Sequence, residues 1–418
     1  MQVFSNDRLG HFALWLWAIV TVYIQWNRWS LDATALYFSA YFYDLGQWGL
    51  VYSPDPGFFW DKHYPPEWLA LAKSQGDATG NMSPYVYPPL WAALLAPLAS
   101  RLTVVSFFNV VNIVNLVATV GSVYLAYGMI RPQKISFTIW SLVSIALLQF
   151  TFIGALAISL GQPQVFVTFL IIAAFRALLA NKDGLAGAVL AFAAAIKIAP
   201  GFLAVVLIME RRWRALAAFL VAGAAFAGLS LIVAGPDLHR EMLIRLKDLN
   251  SKVLIAPVNL TIDSVLLQIS NWLNGTPGWG VSRYLIQAKP GWLPWVTKLL
   301  LILGLALAYV STKQLHPGRR IWFRLQLVYL VFLITGPLAW THYLYLTILL
   351  LPGVLTLASL RFAAAFLLVF AAFFSSAAYW FLFPLEIGPY VQLFSAFLMA
   401  LATIGVLLWL TQQQNESP

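Results

Sequence analysis

Hydrophobic residues along this chain form long runs that short polar connectors separate. The runs lie at 11–29, 103–130, 135–158, 163–181, 184–198, 200–210, 213–234, 294–312, 321–339, 343–360, 362–383 and 388–411. Runs of about 20 apolar residues are typical of helices that cross a bilayer. The pattern predicts an all-α fold, a polytopic membrane helix bundle of about twelve spans in which residues 1–418 form a single domain.

The basic connectors predict how the runs are threaded. Lys and Arg residues collect at 131–134, 182, 211–214, 313–324 and 361, and such clusters favour the cytoplasmic side. The basic connectors all lie on one side if residues 88–101 enter the membrane and return on the same side. The run from Leu90 to Ala99 is short for a span, which favours this arrangement. Both termini are then cytoplasmic. A full crossing by 88–101 is the alternative, and it moves the connector at 131–134 outside.

On this topology two long loops, at 30–87 and 235–293, face outward. The first contains six of the chain's 15 carboxylates, which are Asp32, Asp44, Asp55, Asp61, Glu67 and Asp77. The second contains apolar residues at helical spacing from Leu238 to Val253, which predicts a juxtamembrane amphipathic helix. Its basic face either anchors the helix to anionic lipid or meets a phosphate headgroup.

Composition and charge narrow the possible functions. The chain is 61% hydrophobic and 10% charged, and its net charge of +10 comes from the connectors. That distribution is the positive-inside pattern of a membrane protein, so nucleic acid is not an expected partner. The chain has no Cys, no pair of His residues at helical spacing and no Asp-x-Asp pair. We therefore expect neither a metal site nor a cofactor.

Asp32 is the first candidate for chemistry. It directly follows the first apolar run, and Tyr37 and Tyr41 follow it at helical spacing. A carboxylate at a membrane edge among aromatic rings is partly desolvated and suits a general base. The same position is also typical of an aspartate that caps a short helix. Asp44 is a competing candidate further along the same predicted helix.

Lys197 lies in the middle of an apolar stretch. Inserting a lysine there costs on the order of 3 kcal/mol, so such residues usually face a cavity and a partner. Pro200 breaks the helix nearby and could open Lys197 toward the outer surface. The residue is either a cation for a phosphate or carboxylate, or a lysine that snorkels to the interface.

Four more polar residues interrupt apolar sequence on the predicted outer side, at Gln162, Asn259, Asp263 and His342. A lone histidine in such surroundings is more often structural than functional. Structural residues should nevertheless scatter over both sides of the membrane, whereas these four share one side. They therefore extend the candidate site around Asp32 and Lys197.

Several strings in this order resemble one known family. They are Asp32 with Tyr37 and the later GLVY at Gly49, YVYPPLWAALLAPLA at Tyr85, GQPQ at Gly161, AAAIKIAPG at Ala193 followed by ERRWR, and LAWTHY at Leu338. Together they resemble the polyprenol-phosphate-dependent mannosyltransferases of the GT-C fold class, grouped as glycosyltransferase family 87. The likeness covers most of the chain.

The resemblance implies an inverting glycosyltransferase that moves a sugar, mannose by that resemblance, from a polyprenyl-phosphate donor to a lipid or glycan acceptor. It implies that Asp32 is catalytic and that Lys197 and His342 bind the donor phosphate. Tyr87 and Gln162 would line the sugar site, and Tyr37, Asn259 and Asp263 are further candidates for the sugar or acceptor site. The expected location is the cytoplasmic (inner) membrane, in contact with membrane lipids and with the active site facing outward.

A departure from the family pattern and two alternative functions remain to be considered. Where the family usually has a serine and a second histidine around the last motif, this chain has Ala339 and Tyr343, which leaves the sugar and the acceptor undetermined. A transporter or flippase for lipid-linked sugars would also use an intramembrane lysine. A polymerase or ligase for surface glycans would share the large outer loops. Neither alternative explains the acidic first loop and Lys197 together.

Overall fold

The computed structural model is built almost entirely of helices. It describes residues 7–52, 64–76, 81–130, 132, 135–276, 278–279 and 284–416. Three of the predicted loop carboxylates, Asp55, Asp61 and Asp77, lie outside the described residues, as do Arg131 and Lys134 of the first connector.

The helices follow one another with short connections. In chain order they are α1 (Asp7–Gln25), α2 (Ala33–Asp44), α3 (Pro66–Ser74), α4 (Pro89–Ala99), α5 (Val104–Ile130), α6 (Phe137–Phe150), α7 (Phe152–Ser159), α8 (Pro163–Leu179), α9 (Asp183–Ile196), α10 (Ala204–Met209), α11 (Trp213–Ser251), α12 (Ile262–Leu273), α13 (Leu293–Thr312), α14 (Pro317–Thr335), α15 (Tyr345–Leu350), α16 (Val354–Leu357), α17 (Leu360–Phe373), α18 (Ser376–Leu382) and α19 (Gly388–Glu416). Short 3₁₀ helices lie at Trp48–Leu50, Ala199–Leu203, Thr341–Leu344 and Leu351–Gly353.

The helices confirm the predicted fold class, an all-α polytopic membrane bundle. Within the described residues, the four at Val104–Ile130, Trp213–Ser251, Leu293–Thr312 and Gly388–Asn415 are long and apolar enough to cross a membrane. Helices α7 and α8 make a fifth if they count as one span bent by 113°. Other apolar runs form helices of 10–17 residues, so the number of about twelve spans stays a prediction.

Several apolar runs are divided because the backbone leaves the helix inside them. Thr151 separates α6 from α7 in an extended conformation (φ −90°, ψ 144°), and its hydroxyl accepts a hydrogen bond from the Gly154 amide. A side chain that caps the new helix stabilises such a break. The segment at 88–101 contains only α4, 11 residues long, which is about 16 Å and shorter than a bilayer core.

The described basic connectors lie together at one end of the bundle, which we call the connector end. Arg212 pairs with Asp183 at 3.3 Å. Arg320 pairs with Glu210 at 2.8 Å. Near the two termini, Asp7 accepts a hydrogen bond from the Phe137 amide at 3.0 Å, and Arg319 donates to Gln414. This grouping is the arrangement expected if one side of the membrane is cytoplasmic.

The described part of the loop at 30–87 is folded at the opposite end of the bundle. Helices α2, α3 and α4 enclose an apolar cluster that includes the fully buried Trp68 and the rings of Phe38 and Phe42. Side-chain hydrogen bonds tie the loop to itself, since Ser39 donates to the Val51 carbonyl at 3.0 Å and Trp68 donates to the Leu50 carbonyl at 3.0 Å. The start of α2 is therefore fixed on a packed platform.

The loop at 235–293 begins as a continuation of α11. Gly235, at φ 70°, kinks this helix just before Pro236. The predicted amphipathic helix follows the kink, and the first residues of its apolar stripe, Leu238 and Met242, pack on the apolar cluster of the first loop. A strand pair that the pattern did not predict follows, in which β1 (Lys252–Ile255) runs antiparallel to β2 (Leu285–Ala288).

Candidate active site

Asp32 lies at the start of α2, against the turn that joins α7 to α8. The backbone amides of Asp32 and Ala33 both donate to the Leu160 carbonyl, at 2.9 and 3.2 Å. The next residue, Gly161, has a positive φ of 64°, and a Cβ there would lie 3.0 Å from the Ala33 Cβ. Glycine therefore allows the two chain segments to approach, and this approach positions Asp32.

The Asp32 carboxylate accepts hydrogen bonds from two segments. The Ser83 hydroxyl donates to Oδ1, and the Gln162 amide nitrogen donates to Oδ2. The side chain makes no capping hydrogen bond to α2, although helix capping was one interpretation of this residue. Because each carboxylate oxygen has two lone pairs, the group can still accept a proton from another hydroxyl.

Burial dominates the ionisation of Asp32. It raises the pKa of the carboxyl group, while the hydrogen bonds from Ser83 and Gln162 and the positive charge of Lys197 oppose that rise. Burial disfavours the charged form of an acid, and hydrogen-bond donors and cations favour it. A carboxylate with a raised pKa is a stronger base than an ordinary aspartate, which suits proton abstraction near neutral pH.

Lys197 lies where α9 ends, in an extended conformation with φ −145° and ψ 120°. Its ammonium nitrogen Nζ donates to Oε1 of Gln164 at 3.0 Å and lies 3.7 Å from the centre of the Tyr343 ring. Both partners are uncharged. The lysine is therefore oriented without being neutralised, and its charge is free to act on an anion.

His342 lies in the 3₁₀ turn Thr341–Leu344 and is 4% exposed. Its Nε2 atom is buried and has no hydrogen-bond partner among the described residues. Buried polar nitrogens normally have a partner, so an unpaired one is a natural contact for a ligand oxygen. The ring packs edge-on against Tyr343, at 4.9 Å between centroids.

The structure brings these three ionisable groups together. Lys197 interacts electrostatically with both Asp32 and His342. Asp32 interacts in the same way with Tyr87 and Tyr343. Tyr87 is 6% exposed, and its hydroxyl has no hydrogen bond within the described part of the chain. Residues that are distant in sequence thus form one centre, with Tyr87 and Gln162 at its edge.

Asn259 contacts the segment that carries His342 and makes no hydrogen bond to the three ionisable groups themselves. Its Nδ2 donates to the Leu254 carbonyl at 2.7 Å and to the Ser264 hydroxyl at 2.8 Å. Its Oδ1 accepts from the Ala339 amide at 2.9 Å. Both the Nδ2 and the Oδ1 atoms of this side chain are bonded to the protein. The side chain therefore joins the loop at 235–293 to the segment that carries His342.

Tyr37 and Asp263 are bound to other parts of the protein. The Tyr37 hydroxyl donates to the Leu102 carbonyl at 2.9 Å, and the ring is 1% exposed. Asp263 is ion-paired with Lys289 at 2.8 Å and accepts from Thr297 at 2.6 Å. Neither makes a described contact with Asp32, Lys197 or His342. Their involvement with a sugar or acceptor stays a prediction.

The competing carboxylates are separate from the centre where the structure describes them. Asp44 lies at the far end of α2 and is exposed, and Glu67 is exposed in the first turn of α3. An exposed carboxylate keeps its hydration and lacks the raised basicity of a buried one. Asp32 is therefore the stronger candidate for the base.

Sequence reasoning missed Ser83, Gln164 and Tyr343 as members of the centre. Gln164 carried a signal, since it is the second glutamine of GQPQ, two residues after Gln162 on a turn that enters α8. Tyr343 is next to His342 and was noted only as a departure from the family pattern. Ser83 had no signal, because a small polar residue in a loop is common and its contact with Asp32 spans 51 residues.

The centre combines the buried carboxylate of Asp32 with the ammonium of Lys197, which makes no ion pair within 4 Å in the described part of the chain. The described residues contain no group of three or more His, Asp or Glu side chains that could hold a metal ion. A carboxylate next to a cation can remove a proton from a hydroxyl while the cation stabilises negative charge that develops on a leaving group. Group transfer to a hydroxyl acceptor is the reaction that uses both.

Comparison with known proteins adds one match. The family model described as Glycosyltransferase family 87 matches residues 85–336. This range contains Tyr87, Gln162, Gln164, Lys197 and Asn259, and it ends shortly before His342. A search of the curated proteins found no match.

Proposed function

The chain belongs to glycosyltransferase family 87, and we propose that it transfers a sugar, mannose by resemblance, from a polyprenyl-phosphate carrier to a hydroxyl of a lipid or glycan. It is an integral membrane glycosyltransferase. The proposal concerns the donor, the reaction course and the side of the membrane. The single observation that carries it is that Asp32 and Lys197 are bound to the two glutamines of one turn, since Gln162 donates to Asp32 and Gln164 accepts from Lys197.

The proposed step begins at Asp32. Its carboxylate takes the proton of the acceptor hydroxyl, and the acceptor oxygen forms a bond to the anomeric carbon of the sugar. The bond between that carbon and the phosphate oxygen breaks, and its electron pair stays on the phosphate. Attack from the face opposite the leaving group inverts the anomeric configuration. The products are the glycosylated acceptor and the polyprenyl phosphate.

Lys197 and His342 are proposed to bind the donor phosphate. Negative charge increases on this group as the glycosidic bond breaks, and a fixed cation in a dry site stabilises that charge more than water does. Gln164 and Tyr343 hold the ammonium without neutralising it. The phosphate is a good leaving group, so the proposed reaction needs no general acid. The unpaired Nε2 atom of His342 supports its role as a second phosphate contact.

The sugar is proposed to lie between Asp32 and the phosphate site, next to Tyr87 and Gln162. The Tyr87 hydroxyl lacks a described partner, and Oε1 of Gln162 is buried without one. Sugar hydroxyls both donate and accept hydrogen bonds, so they can satisfy these two groups together. The proposed site faces the end of the bundle opposite the basic connectors, which is the outer face if those connectors are cytoplasmic.

The test is a transfer assay on the purified full chain. Radiolabelled polyprenyl-phosphate mannose and a membrane lipid extract are incubated with the wild type, with Asp32→Asn and with Asp44→Asn. Asp44 is the matched control, because it is an exposed carboxylate on the same helix. We expect labelled product from the wild type and Asp44→Asn, and a loss of about 10²–10⁴-fold with Asp32→Asn.

Two outcomes would overturn the proposal. One is transfer by Asp32→Asn at the wild-type rate, with the variant eluting as a folded protein on gel filtration. The other is movement of the intact carrier across reconstituted vesicles without cleavage of the sugar–phosphate bond, which is the behaviour of a transporter.

A further inference from the structure

A cavity lies at the connector end of the bundle, away from the Asp32 centre. Its volume is about 1180 Å³, and its walls come from the ends of α5, α8 and α19, the start of α14 and the segment at 356–359. Helix α8 joins the two regions, since Gln164 is at its start and Arg176, twelve residues later, lines the cavity. Twelve helical residues span about 18 Å. The cavity is therefore a separate site.

The described lining of this cavity is cationic. It contains Arg176, Arg212, His316 and Arg319, and no Asp or Glu is among the described residues that line it. Arg212 is partly neutralised, because it pairs with Asp183 at 3.3 Å. Arg319 donates to Gln414, a neutral partner. Arg176 makes neither a hydrogen bond nor an ion pair with a described residue. Two guanidinium groups thus keep their full charge.

Helix ends at the cavity act in both directions, because the starts of α14 and α17 favour anions and the ends of α5, α8 and α19 oppose them. Helix α14 begins at Pro317, and its first residues line the cavity together with Ser359, which caps the start of α17. The amides at a helix start carry partial positive charge and favour anions, phosphate groups in particular. The two arginines therefore provide the main attraction for an anion, and the volume that they line is large enough for a headgroup.

We propose that this cavity binds a phosphate-bearing anion. Arginine guanidinium groups bind phosphate oxygens through paired hydrogen bonds, and Arg176 and Arg319 line the cavity from two different helices, α8 and α14. The phosphate group belongs either to an anionic phospholipid of the surrounding leaflet or to a soluble phosphate compound. The site is independent of the Asp32 centre, and its occupant is not a substrate of the proposed transfer.

The test measures binding, so it does not depend on the transfer reaction. Wild type, Arg319→Gln, the double variant Arg176→Gln/Arg319→Gln and the control Lys313→Gln are purified in detergent. Lys313 is exposed at the same end and does not line the cavity. One arm titrates inorganic pyrophosphate by calorimetry. The other counts phosphatidylglycerol and phosphatidylcholine molecules that remain bound in native mass spectrometry.

We expect the double variant to bind one of the two phosphate probes about tenfold more weakly than the wild type, and Lys313→Gln to bind both normally. Loss in the phosphatidylglycerol arm identifies a lipid headgroup, and loss in the pyrophosphate arm identifies a soluble ligand. Arg319 is exposed, so Arg319→Gln should fold and show a smaller loss even if the double variant does not fold. Unchanged binding in both arms would overturn the proposal, as would a loss that is confined to the lipid arm and affects phosphatidylcholine as much as phosphatidylglycerol.

Discussion

Gln164 accepts a hydrogen bond from Lys197 through its amide oxygen, at 3.0 Å between Oε1 and Nζ. The glutamine lies in the first turn of α8 and the lysine at the end of α9, two helices that pack side by side. An amide at this position satisfies one donor of the ammonium and leaves its charge intact. A carboxylate would cancel that charge, so the choice of glutamine preserves a cation in a buried site.

The first prediction follows from this contact. In Gln164→Glu the new carboxylate pairs with Lys197, and the ammonium then binds the donor phosphate less well. We expect kcat/KM for the lipid-linked donor to fall about tenfold or more, with both a higher KM and a lower kcat.

The matched control for that variant is Gln412→Glu, an exposed position at the connector end of α19. It adds the same charge far from the centre, so its kinetics should equal those of the wild type. Wild-type kinetics for Gln164→Glu would show that the charge of Lys197 plays no part in the reaction.

The second prediction concerns pH. Burial raises the pKa of Asp32, and the hydrogen bond from Ser83 opposes the rise. The base acts only as a carboxylate, so activity falls as the pH decreases through this pKa. Ser83→Ala removes a donor that favours the charged form. The pKa should rise further, and the acid limb of the kcat/KM profile should move to higher pH.

The backbone of Ser83 should stay in place in that variant, because its amide donates to the Thr34 hydroxyl at 3.0 Å. Activity should therefore recover at high pH. Ser74→Ala, a change at the exposed end of α3, is the control and should leave the profile unmoved. A shift of the acid limb to lower pH in Ser83→Ala would contradict the assignment of Asp32 as the base.

The central residues were predictable because charge is rare in apolar sequence. Lys197 and His342 each interrupt a long hydrophobic run, and a buried charged or polar group usually faces a cavity. The alternation of runs and basic connectors then places both on the side of Asp32. This argument also requires residues 88–101 to return to the side from which they enter, since a full crossing there would put Lys197 on the side opposite Asp32.

The supporting contacts were not predictable from the pattern. The roles of Ser83 and Asn259 depend on hydrogen bonds to residues far along the chain, Asp32 and Ala339. The helix break at Thr151 is equally hidden, since the residues around it are apolar and a run of hydrophobic residues does not distinguish a full span from two shorter helices. The pairing of β1 with β2 also depends on a distant segment.

The third prediction tests whether Asn259 acts on the sugar or on the fold. Its side chain makes hydrogen bonds to Leu254, Ser264 and Ala339. Asn259→Ala leaves these buried groups unpaired, which should lower the free energy of unfolding by about 3 kcal/mol. Transfer should fall as well, because the segment that carries His342 loses its support.

Thermal unfolding of the purified protein checks this expectation, and Asn274→Ala, at the exposed end of α12, is the control. An unchanged Tm together with a raised KM would instead assign Asn259 to the sugar or acceptor site.

The fourth prediction concerns stability at the connector end. Glu210 accepts hydrogen bonds from Arg320 and Arg324, with a distance of 2.9 Å to Nη1 of Arg324, whose side chain is only 3% exposed. Glu210→Gln removes the negative charge and leaves the Arg324 guanidinium buried without a counter-ion. Breaking one partner of a buried ion pair destabilises a protein by about 3–5 kcal/mol, because the remaining charge stays desolvated. Thermal unfolding should therefore show a markedly lower Tm.

The control for Glu210→Gln is Glu241→Gln, which breaks a contact between Glu241 and Arg245 of 3.9 Å in which the glutamate side chain is 45% exposed. A pair of this kind contributes about 0–1 kcal/mol, since water and salt screen it. Its Tm should stay near that of the wild type, and the remaining folded Glu210→Gln protein should keep its kcat, because the ion pair lies at the opposite end from Asp32. Equal Tm values for the two variants would mean that the charge on Arg324 is solvated in the folded protein, and a lower kcat in folded Glu210→Gln would mean that the two ends are coupled.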